Sequence, residues 1–127
     1  MHPKMIGHIV MSTFSANDLL AWNRIADRYI RTAGNAEDKI YRQFAEVLWD
    51  SLGDIQGQSV LDVGCGHGWL SHLLLEAGAQ VWGVDGSTTL LNYARSSHPS
   101  ISFLEHDLVH GLPSFGKSFD RIVAHMV

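Results

Sequence analysis

One stretch constrains the fold of this chain more than any other: residues 60–68 read Val-Leu-Asp-Val-Gly-Cys-Gly-His-Gly. The apolar, largely β-branched residues Val60, Leu61 and Val63 predict a buried parallel strand. That strand runs directly into Gly64, Gly66 and Gly68, and residues 69–77 then read as a helix closed by Gly78. A strand, a glycine turn and a helix start in succession predict a cradle where backbone N–H groups approach a ligand closely.

The glycine spacing bears on which ligand. A dinucleotide fingerprint, G-x-G-x-x-G, puts its third glycine where helix and strand pack closest. Trp69 holds that position here, the third glycine comes one residue early at Gly68, and Asp62 stands two residues before the first. Further strands are predicted over 80–84, 101–104 and 119–124, with a helix over 87–95 that Ser87 caps. Strands and helices alternating at this spacing imply an α/β fold of parallel βαβ units with right-handed crossovers. Asp85 closes the second of these strands, His106-Asp107-Leu108 follows the third, and Ala124 and His125 end the fourth.

Ahead of the cradle, residues 1–14 show no clear period and read as a flexible arm. Residues 15–53 read as a helical lid of two helices. Ser15 or Asn17 caps the first, along which Leu19, Trp22, Ala26, Tyr29 and Ile30 recur at helical spacing. The second spans 37–52, with Ile40, Phe44, Val47, Leu48 and Leu52 on one face and Gly53 as its stop. Residues 54–127 form the cradle-bearing portion.

The pattern Asp62-x-Gly64-x-Gly66-x-Gly68, with Asp85 ending the next strand, resembles motif I and its companion acid in the class I S-adenosylmethionine-dependent methyltransferases, of the small-molecule type. The resemblance covers about residues 57–127. It implies a Rossmann-like parallel sheet whose four strands take the order 3-2-1-4, with helices on both faces. Because the family's sheet has seven strands, the chain reads as truncated after the fourth. That strand would be an open apolar edge, an aggregation hazard unless a homo-oligomer covers it.

The same resemblance implies roles. Asp62 would hold the amino-acid end of S-adenosylmethionine, since an ammonium favours a carboxylate. Gly64, Gly66 and Gly68, with the backbone of Cys65, would pass against the ribose and methionine portions. Asp85 would accept hydrogen bonds from the ribose hydroxyls, with Gly86 and Ser87 turning the chain close to the ligand. Asp107 would meet the exocyclic amine of adenine and the Leu108 N–H a ring nitrogen. Ala124 would face the sulfonium, and His125 is either a general base or a residue lining the pocket. Tyr29 and Arg42, on the lid helices, would reach the cofactor carboxylate. Each acid also has a purely structural reading. Asp62 would accept backbone N–H bonds within the turn, Asp85 would sit as an acid at a helix start, and Asp107 would form an Asx turn.

Composition narrows the classes. A net charge of −4 argues against a protein that wraps duplex nucleic acid. Where exocyclic-amine nucleic-acid methyltransferases carry an Asn/Asp-Pro-Pro-aromatic signature, this chain reads His125-Met126-Val127. No apolar run reaches the ~20 residues that span a bilayer. With Cys65 as the single cysteine an internal disulfide is excluded, which fits a reducing, cytoplasmic compartment. The eight histidines do not fall at metal-ligand spacing, so no metal site is expected. The expected function is S-adenosylmethionine-dependent methyl transfer to a small-molecule acceptor, or the cofactor-binding portion of such an enzyme. The alternatives are a non-catalytic S-adenosylmethionine-binding module and an NAD-dependent oxidoreductase, which Trp69 and Gly68 oppose.

Overall fold

In a computed structural model of the chain, residues 4–6 and 39–124 are described, with side chains from residue 46 onward. In chain order the elements are β1 (Lys4–Ile6), α1 (Lys39–Leu52), β2 (Ser59–Val63), α2 (Trp69–Glu76), β3 (Gln80–Asp85), α3 (Thr88–Ser97), β4 (Ser102–Glu105), a 3-10 turn (Leu108–His110) and β5 (Arg121–Ala124). The strands form one sheet in the order β1-β5-β2-β3-β4, and every neighbouring pair is parallel. The four predicted strands therefore stand in the 3-2-1-4 order. The chain adds β3 and β4 on one side of β2, then returns to lay β5 on the other. Ligands of open α/β sheets bind at such a reversal, outside the carboxyl ends of the strands.

Alternation along the strands divides the core in two. Val60, Val81 and Val123 point to one face, where they bury Leu48 and Leu52 of α1 and Leu70 and Leu74 of α2. Trp49 and Trp69 pack against the same cluster, as apolar helix faces predict. Leu61, Val84 and Ile122 point to the other face, against Phe119 and partly buried Trp82 and Phe115. Lys117 lies 3.6 Å over the Trp82 ring, so the loop ahead of β5 is tied down by a cation–π contact as well as by apolar packing. Where that loop enters β5, Asp120 accepts from the Ser59 backbone N–H at 2.8 Å and its own N–H donates to the Ser59 hydroxyl at 3.0 Å. This reciprocal pair fixes where β2 and β5 begin, and hence where they end.

Three expectations change. The edge of β5 is not open: Lys4–Ile6 pair with Arg121–Val123 in parallel register. Those three residues lie in the segment read as an arm. A strand this short has no readable period, and what places it is the row of backbone groups that β5 would otherwise leave unpaired. The argument for an oligomer covering that edge goes with it. Val47, assigned to the buried face of α1, is 63% exposed, since one residue's step turns it about 100° away from Leu48. The first lid helix, with Tyr29, and the residue His125 lie outside the described residues. Arg42 lies on α1, with its side chain outside them.

Gly83 has no special dihedral but sits in the middle of β3 with no room above it. A Cβ there would stand 2.7 Å from Phe103 Cδ1 and 2.9 Å from Cys65 Sγ. Gly83→Ala is expected to lower stability by about 1–3 kcal/mol through overpacking, read as a drop in Tm. An unchanged Tm would mean that Phe103 and Cys65 are free to move aside.

Candidate functional site

Parallel strands all deliver their carboxyl ends to one edge of the sheet, so residues distant in sequence meet there. Asp62 is in register with Gly83, and Asp85 follows two residues further along β3 on the same face. Between them the chain turns through Gly64, Gly66 and Gly68, with φ of 73°, 55° and 90°. These values are strained for any residue with a Cβ. Gly68 is also a packing site: a Cβ there would meet His98 at 3.0 Å, Phe103 at 3.2 Å and Ala94 at 3.3 Å. It lets the start of α2 close onto α3.

The turn's N–H groups are not offered to a ligand in the way the sequence suggests. Those of Gly64 and Cys65 donate to the Val84 carbonyl at 2.8 and 3.1 Å, and that of Gly68 donates to Cys65. The Gly66 N–H donates to Asp85 Oδ2 at 2.9 Å. A pyrophosphate site needs such donors free. Here they hold the turn in shape and in place.

What the site presents instead is carboxyl groups. Asp62 is 1% exposed and accepts a 2.6 Å hydrogen bond from the Ser71 hydroxyl on α2. Burial pushes its pKa up to about 7, against the Ser71 hydrogen bond, and the nearby Asp85 pushes the same way as burial. Asp85 accepts from Gly66 N with one oxygen and from Ser87 N, at 2.8 Å, with the other. Burial raises its pKa even so, the Ser87, Gly66 and Gly86 N–H bonds opposing. The helix-start reading of Asp85 is therefore partly right, yet the carboxylate's roughly four lone-pair sites leave room for more donors. Cys65 is buried with its thiol pushed well above the usual range, first by burial and then by Asp62 and Asp85. That makes it an inert filler rather than a nucleophile.

The rest of the edge is assembled from the other predicted residues. Ser87 caps α3, its hydroxyl accepting from Leu90 N at 3.3 Å. Asp107 follows β4, which the His106 N–H ties to the Asp85 carbonyl at 2.9 Å. Its Oδ1 accepts from Val109 N at 3.0 Å, the Asx turn of its structural reading, and it starts the 3-10 turn that carries Leu108. Ala124 ends β5, buried and in register with Val63. Asp62, Asp85, Gly64, Cys65, Gly66, Gly68, Gly86, Ser87, Asp107, Leu108 and Ala124 are thus gathered at one edge. His67 and His98 pack rather than ligate: His67 is buried near the Tyr93 ring, and His98 stacks on His72 at 4.7 Å. Among the described residues no group of three or more His, Cys, Asp or Glu side chains is placed to hold a metal ion. No described helix is long and apolar enough to cross a membrane.

Ser71 and Gly83 escaped the sequence reading. A serine between Leu70 and Leu74 on the buried face of α2 is a polar group that must find a partner, and that was the available signal. Gly83 carried none, because its neighbour Phe103 lies on another strand.

A glycine turn between two carboxyl-tipped parallel strands at the reversal of the sheet defines a nucleoside-binding Rossmann-like domain. The family described as a methyltransferase domain matches residues 60–127, and this chain belongs to it. Malonyl-[acyl-carrier protein] O-methyltransferase of Pseudescherichia vulneris is 33% identical over 100 residues, 79% of this chain and 38% of that protein. Demethylmenaquinone methyltransferase of Renibacterium salmoninarum is 33% identical over 81 residues, 64% of this chain and 34% of that protein. Among solved structures, an S-adenosylmethionine dependent methyltransferase from Mesorhizobium loti is 33% identical with a TM-score of 0.52, covering 57% of this chain and 34% of that one. The chain spans less than 40% of the length of each of these three.

The raised Asp62 carboxyl has a consequence for the free protein. Between its ordinary value near 3.8 and about 7, the folded state keeps a proton that the unfolded state has released. Stability therefore falls as pH rises through that window. Asp62→Asn cannot titrate, so its Tm is expected to gain on the wild type between about pH 5 and about pH 8. A gap that stays constant with pH would show that Asp62 titrates normally.

Proposed function

We propose that this chain is the S-adenosylmethionine-binding portion of an enzyme that methylates a small-molecule acceptor. The observation that carries the proposal is the chemistry of the edge: a buried carboxyl, Asp62, and a half-buried one, Asp85, on the same face of neighbouring strands, with the N–H groups of Gly64, Cys65, Gly66 and Gly68 already engaged. Such a site repels a pyrophosphate and welcomes a cation. S-adenosylmethionine has no phosphate, carries an ammonium and a sulfonium, and supplies a methyl group on a good leaving sulfur.

Asp62 takes the ammonium and Asp85 the ribose diol, while Asp107 and the Leu108 N–H take the adenine. Gly64 and Gly66 form a wall without side chains, and Cys65, Gly86 and Ser87 shape its rim. Ala124, at the tip of β5, closes the side nearest the acceptor. Tyr29 and Arg42 serve the cofactor carboxylate, and His125 lines the acceptor side or takes its proton. The protein's work is alignment and exclusion of water, which contributes roughly 7–11 kcal/mol in favourable cases. The names of the relatives support metabolite acceptors: malonyl-[acyl-carrier protein] in one and demethylmenaquinone in the other. The net charge of −4 supports such an acceptor over a nucleic acid. A cytoplasmic location belongs to the same reading.

Calorimetry separates the classes. S-adenosylhomocysteine is expected to bind and NAD not to, with Asp85→Asn weakening the former about tenfold or more, since hydrogen bonds to a charged acceptor are lost. NAD binding as tightly as S-adenosylhomocysteine would overturn the assignment. Binding without methyl transfer to any quinol or acyl acceptor would leave a cofactor-binding module.

A further inference from the structure

Ser71 does something that a helix serine seldom does. A buried serine hydroxyl in a helix can satisfy itself on the carbonyl one turn back. This one, fully buried on α2, reaches across to the sheet and donates to Asp62 Oδ2 at 2.6 Å. That is at the short end of the range for a bond between two oxygens. The helix that carries it is fixed in place, because Gly68 at its N-cap closes onto Ala94, Phe103 and His98.

We propose that Ser71 is the positioning residue for the cofactor's amino-acid end: its hydroxyl holds the Asp62 carboxylate charged and oriented, so that the site prefers a nucleoside bearing an ammonium over the same nucleoside without one. The inference rests on the S-adenosylmethionine reading above. Among the described residues the titratable groups that face Asp62 are Asp85 from β3 and Cys65 from the turn, both acidic, and neither favours a second negative charge. Burial opposes the charge as well, and the Ser71 hydrogen bond is the influence that counters it. Without that hydroxyl, Asp62 keeps its proton to higher pH and meets the ammonium as a neutral acid. A ligand with no ammonium does not sense the change.

The test compares S-adenosylhomocysteine with 5′-methylthioadenosine, the same nucleoside thioether lacking the amino-acid end. Ser71→Ala is expected to weaken S-adenosylhomocysteine about tenfold or more at neutral pH. Affinity for 5′-methylthioadenosine should stay within about twofold, and the pH below which S-adenosylhomocysteine affinity falls should move upward. In an Asp62→Asn background, where there is no charge to support, the serine change should add nothing. Equal losses for both ligands, no loss for either, or an unshifted pH profile would overturn the proposal. If Ser71→Ala does not fold, Ser71→Cys, close in volume and a weak donor, reads the same contrast. Wild-type protein that binds neither ligand would instead sink the cofactor reading itself.

Discussion

An ionised carboxylate removed from water is stable only with a partner, and two placed together repel each other. Asp62 and Asp85 are such a pair, both with pKa values raised chiefly by burial. The free protein meets the cost by protonating Asp62 readily and by surrounding Asp85 with backbone N–H donors. A bound cation relieves the same stress differently, by supplying the missing charge. The arrangement that weakens the empty domain at neutral pH is thus the one that selects the ligand.

The remaining architecture serves to keep the two acids on one face at the ends of neighbouring strands. Parallel pairing brings the ends of β2 and β3 to one edge, and the register of Asp62 with Gly83 puts both carboxyls on the same face. Asp85 acts as a strut as well as an acceptor, bonding Gly66 on one loop and Ser87 on the next. The left-handed glycines let the chain fold back so that Gly64 and Cys65 reach the Val84 carbonyl. Where no side chain fits, at Gly68 and Gly83, neighbouring elements approach within contact distance. Losing any of these would move a carboxyl rather than remove one.

Much of this was readable from the chain because it lies in local pattern. Glycine spacing, β-branched runs and the acids Asp62 and Asp85 identify a strand–turn–helix unit and its neighbour, and the 3-2-1-4 order follows from the resemblance they carry. What was not readable depends on contacts between segments. Lys4–Ile6 are too few to show a period and become a strand only against β5. The internal use of the turn's N–H groups depends on Val84 and Asp85, which belong to another strand. Ser71 looks like any helix serine until the sheet is placed beneath it. The 3-10 turn at Leu108–His110 is a local consequence of Asp107 capping, short enough to pass as loop.

The central claim, that a buried Asp62 carboxyl exchanges its proton for the cation of a bound nucleoside, is tested most directly by measuring proton release on binding. Calorimetric titration with S-adenosylhomocysteine near pH 6.5, in buffers of different ionisation enthalpy, is expected to show release of up to about one proton per site. Asp62→Asn should release none. Binding whose heat is independent of the buffer in the wild type would contradict the account.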